Sequence, residues 1–162
     1  MVEKYPKQEF KLTIVGKGTL KPYLENKVKE IMIQDQVEFI DYVNGQEKVA
    51  ELYNLFDVCV FPSIDDSESF GVSAVESMGS GTPTIVSDVS GFREITKEGK
   101  IALMFERGNV EALFKHLENL YTNAEMREEM AIISRKHVVD NYNVKDNFKP
   151  VFSAYKEELV NE

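Results

Sequence analysis

Phe61-Pro62-Ser63-Ile64-Asp65-Asp66-Ser67-Glu68-Ser69-Phe70-Gly71-Val72-Ser73-Ala74-Val75-Glu76-Ser77-Met78-Gly79-Ser80-Gly81-Thr82-Pro83 is the stretch on which the reading turns. It leaves a short apolar run at Phe61, crosses a polar loop, and enters helical periodicity near Phe70 or Gly71. A strand that feeds a loop and then a helix is the repeating unit of a parallel α/β sheet. In such sheets ligands bind beyond the C-terminal strand ends. A helix that starts there offers unpaired backbone N–H groups and a partial positive charge, which suits a phosphate or diphosphate. Ser69 and Gly71 keep the turn small, so an anion can approach the backbone.

The rest of the chain repeats the pattern. Continuous apolar runs at residues 10–15, 37–40, 58–61, 84–87 and 101–105 read as strands covered on both faces. Between and after them, Leu24, Val28 and Ile31, then Val49, Leu52 and Phe56, then Leu113, Leu117 and Leu120 recur at helical spacing. Thr19 is the expected N-cap of the first helix, with Pro22 in its first turn. The expected fold is α/β: a doubly wound, Rossmann-like parallel sheet in a single domain over residues 1–162, followed by C-terminal helices. Three of these helices follow Phe105, at about 110–121, 124–139 and 144–160. Met126, Met130 and Ile133 line the second, and a wide stripe of Val144, Phe148, Val151, Phe152, Tyr155 and Leu159 lines the third.

Two carboxylates flank the start of the helix near Phe70. Glu68 lies in the loop just before it and Glu76 about one and a half turns inside, roughly 8 Å along the axis from the anion position. Carboxylate oxygens accept charge-assisted hydrogen bonds from hydroxyl donors. An anion held at the helix tip, with sugar hydroxyls on one acid and ribose hydroxyls on the other, has the extent of a nucleotide sugar.

At this point the sequence resembles a known family. Glu68 and Glu76, with seven residues between them, match the E-x7-E signature of retaining, nucleotide-sugar-dependent glycosyltransferases of the GT-B fold, in particular the group 1 family. Pro62, Ser63, Phe70, Gly71, Met78, Gly81 and Pro83 supply the surrounding string in order. Ser69 stands where glycine is usual, Ser77 where alanine is usual, and Thr84 where valine is frequent. Ile14-Val15-Gly16-Lys17-Gly18 resembles the family's strand and G-x-G turn. Phe39-Ile40-Asp41-Tyr42-Val43 resembles the strand and loop whose backbone meets the nucleobase, and Gly91-Phe92-Arg93-Glu94-Ile95 a segment that follows the next strand.

The resemblance implies the C-terminal, donor-binding half of an enzyme that moves a sugar from a nucleoside diphosphate sugar to an acceptor hydroxyl, with retention. Synthesis of bacterial polysaccharide or lipopolysaccharide is the implied setting. Glu68 is the implied catalytic-site residue, orienting the sugar rather than acting as a nucleophile. Gly16, Gly18, Tyr42, Val43, Ser69, Phe70, Gly71, Val72 and Glu76 are the implied substrate-binding residues. The donor is a substrate, and neither a cofactor nor a metal is implied.

Several simpler readings stand beside these. Gly16 and Gly18 serve a tight turn as readily as phosphate approach, and without a third glycine they do not make a dinucleotide fingerprint. Asp65 and Asp66 read as solvated loop acids, His116 and His137 as surface or packing residues, and Arg93 as a surface cation beside the cleft. Cys59, the one cysteine, lies in an apolar run and reads as a buried, inert thiol. A formal net charge of −9 argues against a nucleic-acid partner. No apolar run has the length of a bilayer span. A cytoplasmic protein is the expectation, peripheral at the inner membrane in its full-length form. A non-catalytic α/β interaction module, or a GT-B relative such as a nucleotide-sugar epimerase, are the competing functions.

The resembled family places another strand and helix before the run at residues 10–15, and an acceptor-binding N-terminal domain before that. A sheet without that central strand carries unpaired edges, which recruit partners. The chain by itself is therefore expected to be inactive and to associate with itself. Light scattering at micromolar concentration should give a mass above that of one chain; a mass of one chain contradicts the expectation.

Overall fold

The computed structural model describes residues 1–7, 9–66 and 68–143. The helix expected at 144–160 therefore lies outside the described residues. The chain divides into two compact units, Met1–Val49 and Ala50–Glu162.

In the first unit, β1 (Leu12–Val15) and β2 (Val37–Ile40) pair in parallel, with Val15 opposite Ile40. Helix α1 (Lys21–Glu30) connects them, as a parallel crossover requires. Leu24 and Val28 are half-buried on its inner face, but Ile31 is exposed and ends the stripe early. Thr19 is not the cap. Leu20 takes that position with no side-chain hydrogen bond, and Pro22 occupies the first turn, where its missing N–H costs nothing. Helix α2 (Gln46–Asn54) follows β2 and carries the chain into the second unit.

The second unit holds a parallel sheet in the order β3 (Cys59–Phe61), β4 (Thr84–Ser87), β5 (Leu103–Phe105). β4 is buried on both faces throughout, which is why its apolar run does not alternate. Its successive side chains enter different clusters. Val86 packs with Ala74 and Met78 of α3 (Val72–Gly79) and with Phe92 and Ile95 of α4 (Ser90–Ile95). Ile85 packs with Phe105 and Leu120, the latter from α5 (Val110–Thr122). Each large side chain buried in this way contributes roughly 1.5–3 kcal/mol. The helices thus cover both faces of a parallel sheet, the α/β arrangement expected. Among the described residues, β1 pairs only with β2 and β3 only with β4.

Helix α6 (Ala124–Asn141) bridges the two clusters: Met126 and Met130 join that of Ile85, and Val138 joins that of Val86. Ile133, expected on its buried face, is exposed; Ser134 and His137 are buried instead. Asn109 and Asn123 cap α5 and α6, accepting from the amides of Ala112 and Met126. His116 packs with a ring nitrogen 3.1 Å from the Met104 carbonyl. Cys59 is buried, and burial pushes its thiol pKa up, away from reactivity. No helix among the described residues is long and apolar enough to cross a membrane.

One close approach fixes how the β3–α3 loop sits. A Cβ on Gly91 would lie 2.2 Å from the carbonyl oxygen of Glu68 and 3.0 Å from the amide nitrogen of Phe70. Only glycine at the start of α4 lets the loop backbone come that near. Gly91→Ala should therefore destabilise the chain by about 1–3 kcal/mol, the usual cost of forcing an extra carbon into a packed site. The urea midpoint at unchanged slope measures this, and a midpoint equal to the parent's shows that the loop gives way freely.

His137 supplies a pH dependence. Its ring lies edge-on to Tyr142 at 5.6 Å, Asn141 lies 3.0 Å from Nδ1, and Nε2 is buried with no side-chain or backbone hydrogen bond assigned to it among the described residues. Burial, and then Lys97, push its pKa below the usual 6.5, against weaker opposition from the Ile95 backbone and Asp140. Below 6.5 the unfolded chain then binds more protons than the folded one, so this contribution to stability is lost as pH falls through the folded value. The urea midpoint should fall as pH drops below 6.5, and His137→Gln should flatten that slope. Asp41 and Asp66, both held below the carboxylate value of 3.8, act only in a more acidic window.

Candidate functional site

Strand β3 ends at Phe61 and the chain crosses a ten-residue loop before α3 begins at Val72. Ser87, at the end of β4, donates from its hydroxyl to the Ser63 carbonyl (2.6 Å) and pins the start of this loop. Gly71, the N-cap of α3, has φ +86°, and an added Cβ would meet the Phe92 ring at 2.6 Å. Both facts demand glycine there. No side chain of the N-cap residue bonds the first turn of α3, unlike α5 and α6 with their asparagines. Val72 and Ser73 are exposed while Gly71 itself is buried, so the first turn of this helix, rather than its N-cap residue, meets solvent.

The structure brings Glu68, Ser69, Phe70, Gly71 and Val72 together around that end. Glu68 is half-buried and its Oε1 accepts from the Gly71 N–H at 2.9 Å, so a carboxylate already rests on the first amide of the turn. Sequence reasoning placed Glu68 beside the anion position but did not foresee this bond. Ser69 is exposed, and Phe70, 37% exposed, leans edge-on against Tyr142 at 5.7 Å.

Glu76 is half-buried one turn further along α3. Next to this stretch stands Tyr53, a residue the sequence did not single out. Its hydroxyl donates to the Ser73 carbonyl (3.1 Å), and Thr82 donates to the Tyr53 carbonyl (2.8 Å). Burial first, and then the Glu76 charge, push the Tyr53 pKa up to about 12, so the phenol stays protonated. Beneath the helix, the hydroxyls of Ser77 and Thr84 lie 2.9 Å apart in the core.

The remaining site candidates belong to the first unit. Gly16 donates its N–H to the Ile40 carbonyl (2.9 Å) and so extends the β1–β2 ladder by one bond. Its φ of +136° turns the chain out of the strand, and an added Cβ on either Gly16 or Gly18 would meet nothing within 4 Å. Tyr42, 72% exposed, and Val43, half-buried, follow β2 at the same end of the parallel pair. Lys21 opens α1 there, bound to Asp41 at 2.5 Å and 5.9 Å from the centre of the Phe39 ring. The pair holds the Asp41 carboxyl below its ordinary range and the Lys21 ammonium above it.

The charged residues near the β3–α3 loop are paired. Arg93 grips Asp88 through two bonds of 2.7 and 2.8 Å, with Glu98 at 3.8 Å. Asp66 accepts from the Ser90 N–H (3.0 Å) and from Arg107 (3.0 Å). Among the described residues no three His, Cys, Asp or Glu side chains gather as a metal site.

Residues 2–137 match the model of the family described as glycosyl transferases group 1. An uncharacterized glycosyltransferase of Methanocaldococcus jannaschii is 31% identical over 146 residues, which are 90% of this chain and 37% of that protein. An O-antigen chain mannosyltransferase of Salmonella typhimurium is 34% identical over 90 residues, 56% of this chain and 25% of its own length. Among solved structures, that of HepE from Anabaena, determined in complex with UDP, superposes with a TM-score of 0.81 at 16% identity, covering 91% of this chain and 41% of that one. This last likeness concerns the fold alone. The chain spans little more than a third of the first relative's length. With the family model matching most of its length, the chain belongs to the glycosyl transferases of group 1.

Proposed function

We propose that this chain forms the donor-binding half of a retaining glycosyltransferase, which transfers a sugar from a nucleoside diphosphate sugar to an acceptor hydroxyl. The observation that carries the reading is the carboxylate of Glu68 resting on the Gly71 N–H, at a helix end whose first turn is exposed at Val72 and Ser73. That end follows the C-terminal end of β3 across the connecting loop, within the E-x7-E string. A position that accepts one anion accepts another. When a diphosphate arrives, Glu68 gives up its hold on the amide and turns to the sugar hydroxyls.

In the reaction, the bond from the anomeric carbon to the diphosphate breaks and a bond from the acceptor oxygen forms on the same face. The acceptor proton passes to the departing phosphate. Negative charge grows on the leaving group, and the amides of Gly71 and Val72 stabilise it. Each well-aimed donor of this kind contributes about 3–4 kcal/mol in a dry site. Glu76, kept beside a protonated Tyr53, binds the ribose hydroxyls. Gly16, Gly18, Tyr42 and Val43, in the first unit, are nucleotide-binding candidates on the family resemblance alone. The acceptor needs a second domain, a reading supported by the small share of its relatives that this chain spans. The Salmonella relative's name favours a surface polysaccharide as the product of the whole enzyme. The donor's diphosphate and hydroxyls require no resident cofactor.

A thermal-shift panel of UDP, GDP, UDP-glucose and GDP-mannose tests the reading. A ligand at a hundred times its Kd stabilises by about 2.7 kcal/mol, a readily measured shift. Glu76→Ala should weaken every nucleotide about tenfold or more, because it removes charge-assisted bonds. Absence of any shift across the panel contradicts the donor site.

A further inference from the structure

We propose that Asp66 is a positioning residue of the sugar subsite, acting through Glu68 by holding the backbone of the loop that carries it. The inference rests on the donor-site reading given above and goes beyond it, since neither the string nor the family resemblance gives Asp66 a role.

Asp66 is the hub of the loop. One carboxylate oxygen accepts from the Ser90 amide (3.0 Å) and hydroxyl (3.3 Å), and the other accepts from Arg107 (3.0 Å). Ser90 opens α4 after β4, and Arg107 follows β5. A single side chain therefore joins the loop after β3 to the segments that follow the other two strands of the sheet. The tether also works together with the tightest backbone contact in the loop. Ser90 binds Asp66, while its neighbour Gly91 receives the Glu68 carbonyl. Two consecutive residues of α4 thus fix two points of the loop on either side of residue 67. Ser87 holds the loop at a third point, Ser63.

The carboxylate of Glu68 reaches the sugar through a short stem, and its placement is only as good as that of its backbone. Errors of about 1 Å at such a group cost a large part of its effect. Asp66 also has a chemistry that its amide analogue lacks. Both oxygens act as acceptors, whereas an asparagine would turn a donor toward Arg107. The Ser90 amide, chief among its partners, holds the Asp66 carboxyl below its ordinary range, so the tether is charged at neutral pH. The side chains of Asp66 and Arg107 are 52% and 44% exposed. An exposed ion pair adds little to folding stability. The tether's value is therefore geometric, which separates it from a scaffold residue by experiment.

Calorimetry with UDP, GDP, UDP-glucose and GDP-mannose gives the sugar increment, the ratio of the Kd of a diphosphate to that of its sugar derivative. In Asp66→Asn this increment should fall about fivefold or more, with diphosphate affinity within about twofold of the parent's and the urea midpoint little changed. Arg107→Met should cause a smaller loss in the same direction. In a Glu68→Gln background, Asp66→Asn should cause no further loss, because its route of action is gone. An unchanged increment in Asp66→Asn, a full additional loss in the Glu68→Gln background, or an equal weakening of diphosphate and sugar nucleotide with a lower midpoint overturns the proposal. A parent that binds diphosphates but gains nothing from the sugar overturns it too, and leaves the anion site standing. If no nucleotide binds the parent, the donor-site reading fails and this inference falls with it.

Discussion

The contact between the Glu68 backbone and Gly91 governs the second unit. A loop that carries an acid to a helix tip must be held against something, and here it rests on the first turn of α4 with no side chain intervening. The approach is possible because α4 starts two residues after β4, whose four residues are buried among the helices on both faces. Burial of Phe92 and Ile95 fixes α4, and the Phe92 ring in turn closes off the space beneath Gly71. The core therefore determines the position of the α3 end, and the α3 end determines where an anion rests. Sheet, helix packing and site form one chain of dependence.

The helix ends divide in a way that fits this order. Asn109 and Asn123 spend a side chain on capping α5 and α6, neither of which opens at the end of β1 or β3. The N-cap residues of α1, α3 and α4 have no such bond, and these helices follow the C-terminal ends of β1, β3 and β4. At α3 and α4 acids of the β3–α3 loop stand in for a cap, Glu68 accepting from the Gly71 amide and Asp66 from the Ser90 amide. A glycine at the N-cap of α3 itself costs only about a few tenths of a kcal/mol.

Much of this was legible in the sequence because parallel strands buried on both faces leave continuous apolar runs. All five runs became strands, although three of them start one or two residues later than the runs do. The E-x7-E string located the start of α3 to within two residues. Misreadings came where long-range packing overrode local pattern. Thr19 has a capping residue's chemistry, yet the helix begins one position later. Ile133 has the right spacing, but the bridging role of α6 turns its Ser134 and His137 inward instead. The six-residue α4 is too short to leave a periodic stripe. Tyr53, Asp66 and Arg107 gave no signal because their partners lie 20 to 41 residues away in sequence.

Ser77 and Thr84 looked like two unrelated departures from the family string. In the folded chain they face one another, hydroxyl to hydroxyl, at the interface of α3 and β4. The two hydroxyls are not equivalent, because Thr84 also donates to the Thr82 carbonyl at 2.8 Å. An apolar residue at 77 leaves the Thr84 hydroxyl that partner, whereas one at 84 takes a partner from Ser77 and the donor from the Thr82 carbonyl at once. Of the two departures from the string, the one on β4 is thus the harder to reverse.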